Sequence, residues 1–164
     1  MKKLLLLSAF LIFACSDNNS DIEQTFLEKY NNILFDNTDD VDGNPDKLWF
    51  SDGIIRYYWE GSCTYIIKTE GSTYLSENEW LWEYGSGSFN SSIVENTADK
   101  LVLQLEVGYD SSDICSSSWY NTWTFTISGN SLTFESNELT FCDPNEFVNR
   151  IENFSKTTED IPDC

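Results

Sequence analysis

The 164-residue chain carries 28 acidic and 9 basic residues, no histidine, five cysteines and 15% aromatic residues, for a net charge of −19. A chain this acidic repels nucleic acid and anionic membrane surfaces, which argues against a nucleic-acid partner. Its aromatic content argues equally against a disordered acidic tail.

The first residues are the most telling. Lys2 and Lys3 precede an apolar run over 4–13, and Ile12-Phe13-Ala14 leads directly into Cys15. A basic start, a short apolar core and a small residue before the cut form a secretory signal. The run is too short to span a bilayer, which takes about 17–25 residues. The Ile-Phe-Ala-Cys end resembles the lipobox of bacterial lipoproteins. That resemblance implies a signal peptide over 1–14, an acylated Cys15 as first mature residue, and a polar tether over 15–20. Two or three acyl chains make such an anchor effectively permanent. The Ser16-Asp17-Asn18-Asn19-Ser20 tether resembles those of outer-membrane lipoproteins of Bacteroidota-type bacteria, some of which reach the cell surface. Loss of Lys2 and Lys3 leaves 7 basic against 28 acidic residues, a charge of −21. The remaining segment, 21–164, has the size of one domain with a real core.

Ser20-Asp21-Ile22-Glu23 reads as a capping box opening a short helix, with Ile22, Phe26 and Tyr30 on one face. The period then changes from helix to strand. Leu101, Leu103, Leu105 and Val107 alternate with Val102, Gln104 and Glu106; Trp119, Asn121, Trp123, Phe125 and Ile127 alternate with Tyr120, Thr122, Thr124 and Thr126; and Leu132 and Phe134 alternate with Thr133 and Glu135. Such alternation marks half-buried antiparallel strands. Turn signals separate them at Asp52-Gly53, Gly61-Ser62, Glu70-Gly71-Ser72, the 85–87 stretch and Ser128-Gly129-Asn130. The expected strands are 32–36, 47–51, 54–59, 63–69, 79–84, 89–95, 100–108, 119–127, 131–136 and 138–142. The segment after Asp143-Pro144 reads either as a capped helix or, through Val148, Arg150, Glu152 and Phe154, as a closing strand.

The expected fold is therefore all-β: an antiparallel meander of about 8–10 strands closed into a barrel, with a short N-terminal helix. Closure removes the exposed edges of such a sheet. The phrase Trp123-Thr-Phe-Thr-Ile127-Ser-Gly-Asn-Ser-Leu132-Thr-Phe134, together with the lipobox, helix and meander, resembles lipocalin-like barrel lipoproteins. The resemblance implies a non-catalytic binding domain for a small hydrophobic or aromatic ligand. Its alternatives are an accessory protein docking on another envelope protein, or a glycan-binding module.

Several residue sets are candidate sites. Trp80, Trp82 and Tyr84 share one strand face, and Trp119 and Trp123 another. Inward aromatics of a small barrel either fill it or line a pocket for one ligand. Asp40, Asp42 and Asp46 lie in an acidic loop and are a weak calcium candidate, because the loop fails the EF-hand pattern. Glu79 and Glu83 flank two tryptophans but sit about 13 Å apart on a strand, too far for a glycosidase pair. With no histidine and no Gly-x-Ser-x-Gly elbow, no catalytic residue and no cofactor is expected.

Cys63, Cys115, Cys142 and Cys164 remain after the anchor. Exported chains keep disulfides, and no CxxC spacing suggests metal or redox chemistry. In a strict meander the turn before Cys63 and the 110–118 loop holding Cys115 are four strands apart, hence at one end. Cys142, at the far end of a strand over 138–142, is about a strand length away. Pairing needs Cα atoms within about 7 Å. The expected bridges are Cys63–Cys115 and Cys142–Cys164.

Overall fold

The structure, a computed structural model, describes residues 23–38, 46–59, 61–74, 87–109, 119–139 and 147–163. Ten antiparallel strands form one nearly closed sheet. They are β1 (Leu34–Asn37), β2 (Lys47–Ser51), β3 (Ile54–Trp59), β4 (Ser62–Lys68), β5 (Gly71–Tyr74), β6 (Gly87–Asn96), β7 (Lys100–Tyr109), β8 (Trp119–Ser128), β9 (Ser131–Leu139) and β10 (Phe147–Lys156). The order around the wall is β4-β3-β2-β1-β10-β9-β8-β7-β6-β5. It is a meander closed by pairing of its first strand with its last, Phe35 opposite Lys156.

Three expectations about the strands change. The expected break between strands 131–136 and 138–142 is absent: β9 runs unbroken over 131–139 with its alternation continuing through Ser136 and Asn137, and 140–142 lies outside the described residues. The ambiguous C-terminal segment is strand β10, because Glu152 and Phe154 point into the core at strand period. The fifth strand is β5, directly after the 69–70 turn; the expected strand over 79–84 lies outside the described residues.

The turns set the register. Asp52 and Gly53 both have positive φ (51° and 74°), the pair of left-handed residues that a type I′ hairpin requires. Gly129, at φ 62°, opens the two-residue turn between the paired Ser128 and Ser131. A Cβ there would force a left-handed side-chain-bearing residue.

One end of the barrel is plugged. The helix α1 (Phe26–Lys29) is a single turn, and its cap is Thr25 rather than Ser20: Glu28 Oε2 accepts the Thr25 backbone N–H at 2.9 Å. Thr25-x-x-Glu28 is thus the capping box in use. Asp99, in the β6–β7 turn, accepts bonds from Lys29 Nζ at 2.7 Å and Tyr30 Oη at 3.2 Å. These hold Phe26 inside the barrel, fully buried. From it a chain of aromatic rings runs along the interior: Phe26 to Phe50 (5.1 Å), Phe50 to Phe125 (5.3 Å), Phe125 to Phe134 (4.8 Å), Phe134 to Trp123 (5.3 Å) and Trp123 to Tyr57 (6.4 Å). Burying each such side chain contributes roughly 1.5–3 kcal/mol.

The wall is not a complete ring of ladders. β4 and β5 end the strand order and share no ladder among the described residues. They meet at the 69–70 turn, where the buried Thr69 donates to Gly53 O from its backbone N–H (2.8 Å) and its hydroxyl (2.9 Å). After β10 the chain passes over the outside of β1 and β2. Thr157 N–H donates to Leu34 O at 3.1 Å, and Glu159 pairs with Lys47 at 2.6 Å. Leu34 and Trp49, on the face opposite the core, are buried there.

Candidate functional site

Strand alternation and register arrange the inward side chains of β7–β10 in rows. Nearest the plugged end, Ile127, Leu132 and Phe154 form one row. The next holds Leu101, Phe125, Phe134 and Glu152. The third holds Leu103, Trp123, Ser136 and Arg150. The fourth holds Ser91, Leu105 and Asn121. The interior therefore grades from wholly apolar to half polar towards the opposite end, here called the mouth. The mouth connections 39–45, 60, 75–86, 110–118 and 140–146 lie outside the described residues.

The polar rows contain unmade hydrogen bonds. Trp123 is 7% exposed and Ser136 2%, yet neither the indole Nε1 nor the serine Oγ has a partner. Ser91, 4% exposed, has a hydroxyl in the same state. A buried polar atom left unbonded costs about 1–3 kcal/mol. Trp123 and Ser136 sit directly opposite each other in the β8–β9 ladder, so their two polar atoms share one patch of wall. Beside them Arg150 Nε is ion-paired to Glu152, whose side chain is 1% exposed.

The wall loosens at this level. β8 and β9 pair only as far as Thr122 and Asn137, although β8 begins at Trp119 and β9 ends at Leu139. Their outer neighbours stay paired to the ends, Val107 with Trp119 and Leu139 with Phe147. Asn121 and Ser136 flank the point where the two strands part. A groove of about 440 Å³ crosses β8–β10, lined by Thr122, Thr124, Glu135, Asn137, Asn149 and Ile151 of the outward parity and also by Ser136 and Arg150.

Of the expected ligand residues, Trp123 faces the interior and joins the aromatic chain. Trp119 lies on β8 at the same parity, four residues nearer the mouth. Trp80, Trp82 and Tyr84 lie outside the described residues, as do Cys15, Asp40 and Asp42. Asp46 is exposed and bonds through its backbone to Asn37 and Tyr58. No cluster of three or more metal-ligating side chains occurs among the described residues, and no helix among them is long and apolar enough to cross a membrane.

Cys63 is disulfide-bonded; Cys115, Cys142 and Cys164 lie outside the described residues. The expected exclusion of Cys142 as its partner rested on a separate strand over 138–142. With β9 unbroken, the 140–146 connection joins β9 to β10 at the mouth, the end at which β4 begins with Cys63, so that exclusion does not hold.

Ser91, Ser136 and Glu152 did not emerge as site residues from the sequence. Their signal was present: each is a polar residue at the core parity of an alternating strand. No family model, curated protein or solved structure matches the chain.

Proposed function

We propose that the chain is an exported binding module, anchored to the outer membrane through an acylated Cys15, whose barrel takes a small, largely apolar ligand without catalysis. The carrying observation is the pair of unpartnered buried polar atoms on Trp123 and Ser136, set between the apolar side chains of Leu103 and Phe134 and beside the Arg150–Glu152 ion pair. Natural cores keep such atoms bonded, and a ligand entering from the mouth supplies what they lack. The lipocalin-like, Bacteroidota-type lipoprotein reading rests on the signal and tether residues and agrees with the barrel.

Titration with the apolar dye diphenylhexatriene tests the binding reading. Saturable fluorescence enhancement at one site per chain is expected. Absence of saturable uptake of any apolar dye by the native protein refutes it. For the anchor, mass spectrometry of the N-terminal peptide from native membranes should show acylated Cys15, and an unmodified cysteine refutes that part.

A second reading draws on the outer face of β8–β10. Tyr120 is 53% exposed and Ile151 61%, beside the groove lined by Thr122 and Asn137. Docking of an envelope protein or a glycan there leaves the barrel interior unused, and substitution of Tyr120 then weakens it while Trp123 variants do not.

A further inference from the structure

We infer that the ligand of the barrel is neutral and presents a hydrogen-bond acceptor, best met by a carbonyl oxygen on a flat apolar ring system, to Trp123 Nε1 and Ser136 Oγ. This rests on the binding reading above and narrows it to a chemical class. An indole N–H can only donate, so its partner must be an acceptor. Ser136, opposite Trp123 in the ladder, has a hydroxyl that can donate to the same atom. Both atoms are buried and both lack a partner within the protein. The shape follows from the neighbours. Leu103 and Leu105 line the same interior, and the rings of Phe134 and Tyr57 stand nearly edge-on to Trp123, at 76° and 87°. Such a wall offers broad apolar contact together with two unpartnered donors on neighbouring strands.

The charge of the ligand follows from the ion pair. Arg150 shares the row of Trp123 and Ser136 and would attract a carboxylate, but Glu152 already pairs with its guanidinium. The Arg150–Glu152 pair therefore carries no net charge, while the chain as a whole stands at −19. That field repels anions approaching the mouth. An anionic acyl chain is disfavoured on both counts.

Two neutral dyes separate the possibilities. Nile red is flat and carries a ring carbonyl; diphenylhexatriene is similarly apolar and has no acceptor. Trp123→Phe keeps an aromatic ring and removes the N–H. It is expected to lower the ratio of Nile red affinity to diphenylhexatriene affinity by about five- to tenfold, the worth of one buried hydrogen bond. Ser136→Ala should lower the same ratio and serves if Trp123→Phe does not fold. Oleate should displace Nile red less effectively than neutral oleyl alcohol. If both dyes bind and neither variant changes the ratio, the acceptor assignment is wrong and the binding reading stands. Better displacement by oleate overturns the neutral assignment alone. If neither dye binds, both readings fall.

Discussion

At the scale of single residues, the Arg150–Glu152 ion pair lies within the interior. Glu152 is buried between Phe134 and Phe154 positions, and Arg150 is half-buried beside it. Removing one member of such a pair strands a charge in an apolar interior, at about 3–5 kcal/mol, whereas replacing both by apolar residues is often neutral. Arg150→Met is therefore expected to destabilise the fold strongly, and the double variant Arg150→Met/Glu152→Leu to recover most of the loss. Urea unfolding measures both. A double variant no better than the single one shows that the pair does not act as a unit.

Residues also set a pH dependence at the plugged end. The Asp99 carboxyl is held below the usual carboxylate range, chiefly by its bond from Lys29. Glu28 is lowered by the Thr25 backbone N–H and hydroxyl. A depressed carboxylate stabilises the fold above its unfolded pKa, and that contribution is lost as pH falls through the folded value. Wild type should thus be more stable than Asp99→Asn at neutral pH, with the difference closing as the pH falls below the ordinary carboxylate range. Thermal melts of both proteins across that window check the sign, and a difference that widens on acidification contradicts it.

At the scale of elements, much of the barrel is legible in the sequence. Period-two alternation exposes β7 and β8 directly, and Asp52-Gly53 and Gly129 mark the β2–β3 and β8–β9 hairpins through backbone conformations few other residues adopt. The β9 error has a physical source: the Ser136-Asn137-Glu138 stretch breaks the apolar alternation without breaking the strand, because Ser136 is a polar residue at a core position. The polar half of the site was hidden for the same reason. Alternation reveals which positions point inward but does not say that a polar atom there lacks a partner.

The tail carries the element-scale prediction. Asp36, Lys47, Tyr58 and Cys63 form one cross-strand row over β1–β4. Glu159 fixes the tail to Lys47 of that row, which lies two strands, about 10 Å, from Cys63. The stretch from Glu159 to Cys164 reaches about 16 Å when extended. Cys63 is therefore expected to bond Cys164 rather than Cys115, leaving Cys115 and Cys142 on the connections that adjoin the parted ends of β8 and β9. Non-reducing peptide mapping decides; a Cys63–Cys115 peptide would reinstate the pairing expected from strand counting.

At the scale of the whole molecule, stability is distributed unevenly along the barrel axis. Leu101, Phe125, Leu132 and Phe154, all fully buried, cluster near the helix plug. The four-residue β5 and the adjoining edge of β4 have the weakest ladder support. Native-state hydrogen exchange should find the slowest amides in the plug-side halves of β7–β10 and the fastest strand amides in β5. Uniform protection around the wall contradicts this gradient. The seam between β4 and β5 has a consequence for what the interior can hold. Among the described residues a turn and the bond from Lys68 N–H to Thr73 Oγ1 (3.0 Å), rather than a ladder, join β4 to β5, so the circumference there is not fixed by a count of hydrogen-bonded strands. The girth of the barrel can widen or narrow at the seam while the mid-sheet ladders stay made, which on the proposed binding reading would let a single scaffold take guests of more than one width.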